Sequence, residues 1–68
     1  MIDERLVDTI RTKYQYEMKL AVSNMDIELN NPTEDCVNRI DSLVTNFYMA
    51  KEKASYFEAI LKNLKGEE

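Results

Sequence analysis

Apolar residues stand at positions 36, 40, 43, 47, 50, 54, 57, 61 and 64, an unbroken alternation of four- and three-residue steps from Cys36 to Leu64. That spacing marks a heptad seam, a stripe down one side of a long helix that packs lengthwise against another helix. Upstream, Val7, Ile10, Tyr14, Met18, Ala21, Met25 and Leu29 form a second stripe. Its steps fit an eleven-residue repeat, close to the natural turn of an α-helix, and so predict a nearly straight amphipathic helix.

The helix ends are written in the polar residues. Asp3 is placed as the N-cap of the first helix, with Ile2 and Val7 spaced as a hydrophobic staple and Glu4 in the positive first turn. Asn30-Asn31-Pro32-Thr33-Glu34 is the clear break, because the residue before proline is pushed out of helical geometry and proline is comfortable at a first helical position. Asn31 as N-cap, Pro32 next and Glu34 two further on predict a capping-box-like start, with Thr33 as an alternative cap. At the far end Lys62 and Lys65 suit a helix C-terminus, Gly66 suits the left-handed position beyond it, and Glu67 and Glu68 are expected to fray.

The expected fold is all-α, one domain over 1–68. It is an antiparallel helical hairpin with helix 1 over about 3–29, a turn at 30–32 and helix 2 over about 32–65, assembling into a helix bundle with itself or with a partner. Folding at Asn31 sets Met25 opposite Leu43, Ala21 opposite Phe47, Met18 opposite Ala50, Tyr14 opposite Ala54 and Val7 opposite Leu61, with Ile10 near Phe57. Large residues face small ones in the middle layers, as close packing requires. Helix 1 rather than a copy of helix 2 is therefore the expected partner of the seam, over roughly 40 Å at 1.5 Å per residue.

Two such helices bury one stripe each, yet their other sides are not fully polar. Helix 1 carries Tyr16, Leu20 and Ile27 away from its stripe; helix 2 flanks its seam with Val37, Val44 and Tyr48 on one side and Met49, Tyr56 and Ile60 on the other. Groups of this kind on so small a chain point to further packing. Tyr16, Leu20, Ile27, Val44, Tyr48, Met49, Tyr56 and Ile60 are the expected partner-binding residues.

Composition narrows the chemistry. One glycine and one proline leave few turns, and 68 residues make a core only marginally sufficient without oligomerisation. A single cysteine and no histidine argue against a disulfide framework, a metal site, a cofactor or a histidine-based catalytic centre, and favour a reducing, cytoplasmic setting. Cys36 lies in the seam without a basic neighbour to activate it, so it reads as a small hydrophobe. Asp26-Ile27-Glu28-Leu29-Asn30 resembles a calcium-loop opening, but Asn31 stands where glycine is needed and Val37 where glutamate is. Asn31-Pro32-Thr33 has proline in the middle of what would be a glycosylation acceptor. A short hairpin offers no cleft in which carboxylates could take separate acid and base roles, so no enzyme is expected. No apolar run reaches membrane-span length, and the first residues lack the pattern of a secretory signal.

Net charge is −4, with residues 1–31 and 32–68 each at −2, so neither half is a basic arm. In architecture and length the hairpin resembles the Rop-type plasmid regulators, which implies, as the alternative reading, a homodimeric four-helix regulator binding RNA or DNA. Such a protein needs a basic stripe, whereas Arg5, Arg11, Lys13 and Lys19 scatter round helix 1 and the basic residues of helix 2 do not form an isolated row, so nucleic acid is not the expected partner.

The turn Asn30-Asn31-Pro32-Thr33-Glu34-Asp35 between two helices resembles that of type III secretion needle subunits, although Asp35 replaces the second proline of their turn and Leu64-Lys65-Gly66-Glu67-Glu68 lacks their apolar tail. In size, acidity and two-helix plan the chain is more similar to the small E-type cytoplasmic co-chaperones of those systems. The resemblance implies a cytoplasmic, non-enzymatic chaperone, co-chaperone or adaptor that buries apolar helical surface of a secreted subunit or helical chaperone, alone or as a dimer. It carries over no catalytic residues.

Overall fold

The computed structural model describes residues 2–66, so the expected fraying of Glu67 and Glu68 lies outside the described residues. Two helices, α1 (Glu4–Asn30) and α2 (Cys36–Leu64), pack side by side as an antiparallel hairpin in a rod of 50 × 16 × 16 Å. Neither helix contains glycine or proline, so nothing interrupts the backbone ladder within them.

The N-terminus of α1 forms as the sequence predicts. Asp3 takes an extended backbone, and its Oδ1 accepts from the amides of Arg5 at 3.0 Å and Leu6 at 3.2 Å, which satisfies two donors that lack an intrahelical partner. Val7 is buried, whereas Ile2 stays more than half exposed. At the other end of α1 the Asn30 side-chain amide donates to the Asp26 carbonyl at 2.7 Å, and the Asn31 amide donates to the Ile27 carbonyl at 2.9 Å. Gly66 follows α2 at φ +73°, the left-handed position expected of it, and its amide donates to the Asn63 carbonyl.

The start of α2 differs from expectation. Pro32 is not a first helical residue and Asn31 is not the N-cap; the connection runs over 31–35 and the helix begins at Cys36. Asp35 holds the N-cap place but caps no backbone amide, its carboxylate instead accepting from the Asn38 side chain at 2.8 Å. The Cys36 amide donates to the Thr33 carbonyl, closing a turn just ahead of the helix. Thr33 is drawn away from any capping role because its hydroxyl donates to Glu28 Oε1 at 3.1 Å, across to α1.

A second difference concerns the inner face of α1. Its buried and half-buried line runs Val7, Arg11, Tyr14, Met18, Ala21, Met25, Glu28, with Ile10 beside it. This is a strict heptad, not the eleven-residue repeat, and Leu29 is left 62% exposed. The seam of α2 follows its expected positions until Leu64, which is exposed at the level where α1 begins. Two heptads meeting in phase stay in contact along their length, and that is why Glu28 rather than Leu29 faces α2.

The core is thin. Val7, Ala21, Ala50, Ala54 and Leu61 are the buried residues of the described chain, and three of them are alanines. Ala50 and Ala54, 3% and 6% exposed, are the sockets that the expected register assigns to Met18 and Tyr14. Tyr14 stacks on Phe57 with ring centroids 6.5 Å apart, and Lys53 lies over the same ring at 5.1 Å. Its ring therefore sits at the level of Ala54, as that register requires.

Candidate interaction surface

The heptads fix what lies beside the seam. Each helix turns 100° per residue, so the residue after each of Val7, Tyr14, Ala21 and Glu28 shares one broad face with the residue after each of Cys36, Leu43, Ala50 and Phe57. This face carries Asp8 with Glu58, Gln15 with Lys51, Val22 with Val44 and Leu29 with Val37, in order from the open end to the turn. Asp8 and Glu58 line one groove at the open end, and Gln15 and Val22 line another with Met18 and Phe47. From its middle to the turn this face is apolar; toward the open end it is charged.

The opposite broad face has the reverse character. Its rungs are Ile10 with Ile60, Glu17 with Lys53, and Asn24 with Asn46, followed by Arg39 near the turn. Glu17, Asn24, Asn46 and Lys53 line one groove together with Leu20 and Met49. Only the open-end rung is apolar there, and the middle is a polar strip edged by single apolar residues.

The sequence-predicted partner residues are consequently divided. Leu20, Ile27, Met49, Tyr56 and Ile60 belong to the second face and its edges, Val44 and Tyr48 belong to the first, and Tyr16 stands on the outer side of α1. Tyr16, Leu20, Ile27, Tyr48, Met49 and Tyr56 are exposed, whereas Val44 and Ile60 are half-buried beside the seam. Val22 and Leu29 were missed as members of the surface, although both are exposed, and Val37, placed beside the seam but not among the contact residues, is exposed as well. The signal that could have found them is the seven-residue spacing from Val22 to Leu29 and from Val37 to Val44. Leu29, placed in the core by the eleven-residue pattern, concealed it.

The charged groups are local and mostly solvated. Arg11 donates to Asp8 at 2.6 Å, Lys13 lies 3.8 Å from Glu17, and Arg39 reaches Glu28 at 3.8 Å from α2 to α1. Glu28 is the most enclosed of these, its side chain 13% exposed between Arg39 and the Thr33 hydroxyl. At the open end Arg5, Arg11, Lys62 and Lys65 line one groove with Glu4, Asp8 and Glu58. Four cations thus converge there, interleaved with three carboxylates. Cys36 carries a free, half-buried thiol.

Set beside known proteins, the chain matches no protein family, no curated protein and no solved structure. The surface itself is what bears on function. Among the described residues no group of three or more histidine, cysteine, aspartate or glutamate side chains is arranged to hold a metal ion, and no helix is long and apolar enough to cross a membrane. What the arrangement can do is present apolar side chains on a preformed helical scaffold, a mode of recognition in which helices lie against helices.

Proposed function

We propose that this chain is a small non-enzymatic protein–protein interaction module, working as a chaperone, co-chaperone or adaptor in protein secretion by covering apolar helical surface of a partner. The carrying observation is the imbalance between core and surface among the described residues: five buried inside, against twelve large hydrophobic side chains left exposed. Burial of such side chains on a partner contributes roughly 25 cal/mol per Å² before association costs are subtracted. The E-type co-chaperone resemblance of the two-helix plan supports the secretion setting and a cytoplasmic place of work.

The test is affinity capture of a tagged chain with identification of what is retained, alongside Leu20→Asp and Tyr48→Asp variants shown by circular dichroism to keep their helices. A specific partner lost from either variant is the expected outcome. Unchanged recovery with intact helices would overturn the reading.

A second reading, a homodimeric regulator binding RNA or DNA, is favoured by one observation, the convergence of Arg5, Arg11, Lys62 and Lys65 at the open end. The three carboxylates in the same groove oppose phosphate binding. A salt series decides it, since phosphate contacts impose a steep loss of affinity with rising salt.

A further inference from the structure

The half-face formed by Val22, Leu29, Val37 and Val44 carries two consecutive apolar rungs, where the opposite face carries one, Ile10 with Ile60. We infer that a second copy of this chain covers it, the two hairpins lying along one another with both turns at the same end. This deepens the interaction reading and rests on it only in treating Val44 and Tyr48 as contact residues; the face with Leu20, Ile27 and Met49 stays free for another partner.

Area is the first argument. The chain exposes 5501 Å². A compact monomer of 8.0 kDa exposes about 4,500 Å² by the usual scaling of surface with mass. The surplus, about 1,000 Å², is close to the ~800 Å² that each partner contributes to a standard stable interface. One face of a rod 50 Å long and 16 Å wide offers about 800 Å² in projection when covered end to end and about 400 Å² when only its turn half is covered, so the interface needs the whole length.

Pattern then selects the orientation. A two-fold axis along the rod sets α1 of each copy over α2 of the other, bringing Leu29 to Val37 of the copy and Val22 to Val44 of the copy. Full-length overlap in the reversed sense would set these side chains on the Asp8, Glu58, Gln15 and Lys51 rungs, burying charge against hydrocarbon. In the chosen orientation the open ends meet, so the Asp8 and Glu58 rung meets its own copy, and the counter-charge for these carboxylates comes from Arg5, Arg11, Lys62 and Lys65 of the same groove. Arg11 Nε is buried there without a hydrogen-bond partner, and the copy brings further carboxylates, its Asp8 and Glu58, to that level. The rim, with Lys19, Asp26 and Asp41, is polar and of both signs, as interface rims are and as a lipid-facing surface is not.

The experiment is native mass spectrometry and analytical ultracentrifugation of the full chain in the micromolar range. Its partners are the double variant Val22→Glu/Val44→Glu, the opposite-face variant Leu20→Asp, and circular dichroism of each. The expected result is a dimer for the parent and for Leu20→Asp, with the dimer weakened by tenfold or more in the double variant while helices persist at higher concentration. For orientation, Lys62→Cys in a Cys36→Ser background carries a spin label; like-facing turns give a label separation of about 20 Å from helix spacings of 8–10 Å, against roughly the 50 Å rod length for reversed hairpins. A monomeric parent, a dimer abolished by Leu20→Asp but not by the double variant, or the long separation would each overturn the inference. Loss of a foreign partner in the Leu20→Asp capture experiment is read separately, so either reading can fail alone.

Discussion

At the residue scale, two side chains have roles whose removal is measurable. Asp3 is the sole side-chain cap at the start of α1, so Asp3→Ala is expected to lower stability by about 1 kcal/mol, the usual cost of losing an N-cap, read as a lower urea midpoint with an unchanged slope. Ala50 is the most buried residue of the core, 3% exposed on the seam that faces α1. Ala50→Leu should therefore destabilise by about 1–3 kcal/mol through overpacking, measured in the same titration. Both roles are legible in the sequence, Asp3 from the residues around it and Ala50 from its place in an unbroken seam. Leu29 was not legible: next to Glu28, an apolar residue one position off the heptad looks like the better core candidate. Only the phase of the facing helix decides which of the two turns inward.

At the element scale, that phase is held near the turn by a polar clamp, in which Glu28 accepts from the Thr33 hydroxyl and faces Arg39 across the helix pair. With Arg39 58% exposed the pair contributes little net stability, but a shifted pairing would leave the more enclosed Glu28 carboxylate without its partners. Glu28→Leu is accordingly expected to hold or raise the thermal midpoint while broadening the amide spectrum of 31–39. A fall in midpoint of several degrees would show instead that the pair is stabilising in its own right. The late start of α2 has the same origin. Asn31, Pro32 and Glu34 carry strong start signals, but a chain reversing between two packed helices needs several non-helical residues, and a tertiary bond claims Thr33. Local patterns in sequence register neither constraint. Element number, type and pairing were legible because breakers are so scarce and the α2 seam so regular.

At the scale of the whole molecule, a thin core beside a face that is apolar over its turn half ties stability to concentration once a second copy covers that face. If a copy covers the face, the thermal midpoint should rise with protein concentration, because association draws the folded state out of the unfolding equilibrium. A midpoint constant over a hundredfold dilution, roughly 2.7 kcal/mol of mass action at 25 °C, would contradict that arrangement. Which faces carry the interaction could be read from the chain only in part. Apolar residues off the seam are visible there, but sorting them into two faces requires the α1 register, and the eleven-residue pattern misassigned it.

The rod also has a hydrodynamic consequence. At 50 Å by 16 Å, with a radius of gyration of 15.3 Å where a compact chain of this length has about 11 Å, the protomer tumbles anisotropically and drags more solvent than its mass implies. A copy added alongside thickens the body without lengthening it. Sedimentation would then show mass doubling while the frictional ratio falls, and nitrogen relaxation would lose part of its dependence on bond orientation. End-to-end growth would raise both quantities, so the shape of the solution species alone separates a bundle from a filament.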